Sequence, residues 1–201
     1  MPSIGDQSSR DDHEKNINAC AVALMAAEQQ HREAVRAGAH DNACVLNVAI
    51  FAVVWNADLS ILLEELRVLN EVPGWAAGWK RKLTARLLAL TIVEAVDEFM
   101  GLLGRDFRTA VKQLADDNTL EQLNDVHKTL SRFRDTHEAE LRVVRNTIIA
   151  HRDPNAAMQI ESLRSLNVKH VEELGWELLK WTTTLHEFVG TVAASARRTA
   201  A

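Results

Sequence analysis

The stretch Leu120-Glu-Gln-Leu123-Asn-Asp-Val126-His-Lys-Thr-Leu130-Ser-Arg-Phe133-Arg-Asp-Thr-His137-Glu-Ala-Glu-Leu141-Arg-Val-Val144-Arg-Asn-Thr-Ile148 decides the fold. Its apolar residues, with His137 in register among them, recur at steps of three or four. Residues so spaced share one face of an α-helix, which predicts a single apolar stripe over about eight turns. The polar turn Asp116-Asp117-Asn118 precedes it, with Asn118 or Thr119 as the cap and Glu121 and Gln122 placed as capping-box partners. The helix is expected to stop at Asp153-Pro154, because the residue before a proline avoids the α region.

A helix with one apolar stripe needs partners, and the rest of the chain supplies them. Residues 11–37 predict a first helix, with Ile17, Cys20, Ala21, Leu24, Ala27 and His31 at helical steps and Gly38 as its stop. Residues 41–70 predict a second, apolar nearly all round between Ala43 and Trp55 and so central in a bundle. Val72-Pro73-Gly74 ends it. The following Trp75-Ala-Ala-Gly78-Trp79-Lys-Arg-Lys reads as a connection, its tryptophans as core plugs rather than a base-stacking platform. Residues 83–103 form a third helix carrying Leu87, Leu90, Val93, Ala95 and Phe99, and residues 107–114 a short amphipathic one. Residues 165–194 close the chain with Val168, Val171, Leu174, Leu178, Trp181, Leu185 and Phe188. The expectation is an all-α, up-and-down bundle of four or five long helices plus one short helix. Residues 1–10 are expected as a disordered tail, 11–196 as one domain and 197–201 as a frayed end.

Composition agrees and sets limits. At 201 residues, 47% hydrophobic and 25% charged, the chain suits one globular domain with a sizeable core. Its uninterrupted apolar runs fall short of the roughly 20 residues that cross a bilayer, and no secretory signal is visible at the N-terminus. A cytoplasmic protein that does not bind membranes is expected. The two cysteines, Cys20 and Cys44, lie in no CxxC or Cys/His cluster, so they read as reduced, buried, small apolar residues. The net charge is -5, yet the eight Lys/Arg between His127 and His170 outnumber five acids there, which leaves a local basic segment on an acidic body.

Chemistry concentrates at the end of the fourth long helix. Arg145, Asn146 and His151 are followed by Arg152-Asp153 in the proline-stopped turn, a set that helix propensity and core packing do not ask for. A histidine near neutrality can take the 2′-OH proton of RNA or give one to the leaving oxygen, while an arginine fork stabilises charge on the phosphoryl oxygens. No metal or cofactor is needed for that reaction. Six residues of helix turn by about 600°, which puts Arg145 and His151 about 120° apart and about 9 Å along the axis. Either the helix unwinds, or the arginine reaches around, or a twofold dimer completes the site with a second copy.

The string from Arg145 to His151 resembles the R-x(4-6)-H motif of the HEPN superfamily, the all-α higher eukaryotes and prokaryotes nucleotide-binding domains. The wider Arg-Asn-x-x-x-Ala-His-Arg-Asp string resembles bacterial members linked to abortive infection and toxin-antitoxin systems. The resemblance implies a homodimer with a metal-independent endoribonuclease site in the dimer cleft, built from both copies of Arg145 and His151 with Asn146 in support. It also implies RNA as substrate, a 2′,3′-cyclic phosphate product, and a cognate antitoxin protein as a further partner. Arg142 and Arg152 then position phosphates rather than catalyse, and Thr147 is one turn before His151.

A structural reading stands beside this one. Arg145 pairs with Asp153 or a neighbouring glutamate, while His151 and Arg152 satisfy the last carbonyls and the helix dipole. The chain is then a non-catalytic dimerisation or interaction module with a degenerate site. Other candidates are thinner. Glu28-x-x-His31 is half of a di-iron motif, and His137-Glu138 and His186-Glu187 lack the second histidine of HExxH. His137, on the apolar stripe, reads as a satisfied core or interface histidine rather than a ligand. Arg132-Phe-Arg134-Asp135 reads as a solvated face.

Overall fold

The structure is a computed structural model; it describes residues 4–144, 161 and 164–199, without the side chains of 4–13, 16, 117, 144 and 197–199. Among the described residues there are six helices and no strand: α1 (Ile4–Arg36), α2 (His40–Glu71), α3 (Trp75–Leu102), α4 (Arg105–Leu114), α5 (Asp117–Val144) and α6 (Val168–Thr199). Five are long and α4 is short, the architecture the periodicity predicts. Two tight reversals fold the first three helices back on one another, each with a glycine at positive φ, Gly38 at 68° and Gly74 at 106°.

α2 is central, packing against α1, α3, α4 and α6. It is also the one helix among the described residues long and apolar enough to cross a membrane, a property the count of uninterrupted runs missed. Here its apolar surface meets other helices, with Val45, Ala52, Leu59, Leu63 and Leu66 buried. α3 and α6 pack on α2 and on each other, and α5 closes the far side of both. Phe99 of α3 meets Trp181 of α6 edge to face, with ring centroids 5.0 Å apart. The Trp181 indole N–H donates to the Val126 carbonyl of α5 at 2.9 Å, so the buried ring keeps its polar end satisfied. The predicted stripe of α5 is the buried one, through Leu123, Val126, Leu130, Phe133 and Leu141.

Boundaries moved where local chemistry overrode the pattern. Asp116, not Asn118 or Thr119, caps α5, its carboxylate accepting from the Thr119 N–H at 2.9 Å and hydroxyl at 2.6 Å. Those bonds hold the Asp116 carboxyl below its ordinary range. α6 starts at Val168 rather than at residue 165, where Asn167 Oδ1 accepts from the His170 N–H at 3.2 Å. α1 is helical from Ile4, ahead of the expected start at residue 11, and lies against α2. Cys20 and Cys44 are half-buried rather than buried, and that burial pushes both thiols up, Cys44 further helped by Asp106 and Asp41.

At Gly175, α6 packs tightly against α2 and α3. A Cβ there would stand 3.0 Å from Leu63 Cδ2 of α2 and 3.0 Å from Leu88 Cδ2 of α3, both leucines fully buried. Gly175→Val is therefore expected to destabilise by roughly 1–3 kcal/mol through overpacking, despite the better helix propensity of the new residue. Urea unfolding checks this; an unchanged midpoint would mean that α6 can move off α2 and α3 without cost.

Candidate functional site

Arg145, Asn146, Thr147, His151, Arg152 and Asp153 lie outside the described residues. The structure instead describes the helices that flank them. α5 is described through Val144, then Glu161 and the chain from Arg164 onward are described, and α6 begins at Val168. These flanks lie side by side. Glu140 of α5 bonds His170 in the first turn of α6 at 2.8 Å, and Lys82 of α3 donates to the Arg164 carbonyl at 2.7 Å.

Arg142 is the one proposed phosphate ligand among the described residues, and it is engaged. Its Nη2 donates to both Asp97 oxygens, at 2.9 and 3.1 Å, and its Nε to Glu138 at 2.6 Å. The Glu138 hydrogen bond and the Asp97 charge raise the guanidinium further above its already high range. To hold a phosphate it must exchange a carboxylate for one. Arg134, from the expected solvated face, is also paired, with Asp135 at 2.9 Å and Glu138 at 3.7 Å.

His137 sits where the stripe of α5 meets α6, half-buried, with the Phe133 ring 5.1 Å away. Its Nδ1 lies 3.2 Å from Glu140 Oε1, the same oxygen that His170 Nε2 reaches. Burial alone would raise the Glu140 carboxyl, but hydrogen bonds and charge from His170 and His137 outweigh it and hold the group below its ordinary range. His137 is thus satisfied, as its position suggests, but by a cluster that spans two helices.

The largest departure from the sequence reading lies at the start of α3. Trp75 and Trp79 are not core plugs: they are 83% and 46% exposed and stack on each other, centroids 6.0 Å apart and planes 16° from parallel. The segment taken for a connection is the first two turns of α3, and the core side of that helix is Ala77, Ala85, Leu88 and Ile92. Positions 75, 79, 83 and 87, four apart, fall on the opposite face, so Leu83 and Leu87 are exposed as well. The four-residue spacing through Leu83 was the signal available in the sequence.

Lys80, Arg81 and Lys82 follow the tryptophans. Arg81 and Lys82 line an open cleft of about 470 Å3 with Gly78, and Val168, Lys169 and Glu172 of α6 form its other side. Three cations against one carboxylate make the lining basic. Glu172 also accepts from Asn70 at 3.4 Å, and Lys169 lies 3.6 Å from Glu173. Aromatic faces beside a cationic cleft suit a nucleic-acid strand, one stacking bases and the other neutralising phosphates. The fold defines the chain as an all-α helical bundle. No family model, curated protein or solved structure matches it.

Proposed function

We propose that this chain is an RNA-binding, HEPN-like metal-independent endoribonuclease that works as a homodimer in the cytoplasm, in phage defence or beside a cognate antitoxin protein. The observation that carries the RNA part is the exposed Trp75/Trp79 pair, in the same first two turns of α3 that give Arg81 and Lys82 to the cleft shared with Lys169. That surface adjoins Arg164 and the first turn of α6, where the chain returns from the segment bearing Arg145 and His151. In this reading the tryptophans and cations hold the strand, Arg145 stabilises phosphoryl charge, His151 moves the proton, and Asn146, Arg142 and Arg152 assist.

The test is single-stranded RNA binding followed by fluorescence anisotropy. Stacking is worth ~1–3 kcal/mol per base, so Trp75→Ala/Trp79→Ala is expected to weaken binding roughly 10-fold or more. Arg81→Glu is expected to weaken it further and flatten its salt dependence. A second reading has its own support: Leu83 and Leu87 continue the exposed stripe in aliphatic residues, which suit a protein partner better than a base. Under that interaction-module reading the tryptophan variant keeps what RNA affinity exists and instead changes the sedimentation mass.

A further inference from the structure

We propose that His137, Glu140 and His170 form a divalent transition-metal site, best suited to zinc, that clips the C-terminal part of α5 to the first turn of α6. The three donors converge. Glu140 Oε1 is 3.2 Å from His137 Nδ1 and 2.8 Å from His170 Nε2, and the three ligand atoms all lie within 4.8 Å of one another. Zinc bonds of about 2.0–2.1 Å in tetrahedral geometry set donors about 3.3 Å apart. Two of the spacings are already close to that, and drawing the imidazoles together around an ion completes the set.

The donor types also fit. Two imidazoles and a carboxylate are a recognised zinc set that leaves a fourth position for water. His137 and Glu140 stand three apart on one face of α5, and His170 arrives from α6, so the site exists only in the folded chain. Glu173 Oε2 stands 4.0 Å from His170 Nδ1, the ring nitrogen left over, beyond hydrogen-bond range but near enough for its charge to favour a metal-bound imidazole. The Phe133 ring packs beside the His137 ring at a tilt, with centroids 5.1 Å apart and planes 55° from parallel. Without metal the same atoms are held by hydrogen bonds, so the ion replaces protons at a preformed site rather than building one. Its effect is to fix the spacing between the two helices that flank residues 145–163. The inference uses none of the residues in that segment and is read by metal binding, so it stands or falls apart from the ribonuclease reading.

The full chain, freed of metal with EDTA and then dialysed, is titrated with Zn2+ by calorimetry and with Co2+ by visible absorption. Expected are one equivalent bound, a tetrahedral Co2+ spectrum, and a zinc-dependent rise in Tm that follows ligand linkage. Loss of an outer-shell partner costs about 10–100-fold in affinity, so Glu173→Gln is expected to weaken zinc about 10-fold, and His137→Ala or His170→Ala at least ~100-fold. Glu140→Gln, which keeps the hydrogen-bonding shape, is the check against misfolding and is expected to lose the Co2+ spectrum with an unchanged circular-dichroism spectrum. Absence of stoichiometric binding, or binding that survives in both histidine variants, overturns the proposal.

Discussion

The Arg145→Ala/His151→Ala double variant is expected to cleave RNA at least ~100-fold more slowly than the wild-type chain in EDTA, with the same helical content and the same mass in solution. A positioned general acid or base contributes typically ~100- to 10,000-fold, and a preorganised donor to developing charge about 100- to 1,000-fold. Groups that act as one unit do not add, so either single variant should lose nearly as much as the pair. Wild-type products should end in 2′,3′-cyclic phosphate, because the attacking group is the neighbouring 2′-OH. Equal cleavage by wild type and double variant would end the ribonuclease reading. No cleavage by either, with Trp75→Ala/Trp79→Ala still weakening RNA binding, would leave a binding protein with a degenerate site.

Phe99→Ala should cost ~3–5 kcal/mol of unfolding free energy, as large buried aromatic truncations do. Phe99 is fully buried, and its ring meets Trp181, whose N–H is bonded to Val126. One truncation therefore opens a cavity where α3, α5 and α6 converge. The urea midpoint should fall with an unchanged slope, the signature of lost stability in a still cooperative fold. Trp75→Ala makes the contrast. That ring is 83% exposed, so its removal should shift stability by less than ~0.5 kcal/mol. A similar loss from both would mean that Trp75 is covered in solution, by a second copy or another partner.

The bundle was legible because burial and helical period are local in the chain. The stripe of α5, the all-round apolar run in α2 and the breaks at Gly38 and Gly74 each needed only their own residues. Errors came where two local signals competed. Aromatic residues after Val72-Pro73-Gly74 read as plugs in a turn, yet the helix restarts at Trp75 and its apolar residues split between two faces. Leu87, named among the apolar residues of that helix, lies on its exposed face, and Leu88 and Ile92 are the buried pair. Asp116 outcompeted its neighbours as the cap because its carboxylate takes both the N–H and the hydroxyl of Thr119.

Sequence alone determined the class of fold, the central place of α2 and the Arg145/His151 string, since period, composition and spacing are properties of the linear chain. Tertiary structure decided which charges are engaged and which side chains meet. Arg142 looks like any other basic residue of α5 until Asp97 arrives from α3 and takes its Nη2 with both carboxylate oxygens. His137 and Glu140 are an ordinary helical pair until α6 delivers His170 to the same oxygen. Arg81, Lys82 and Lys169 become one basic lining only because α3 and α6 pack side by side. Coulomb and hydrogen-bond energies depend on distance through space, and the packing of the apolar faces sets those distances.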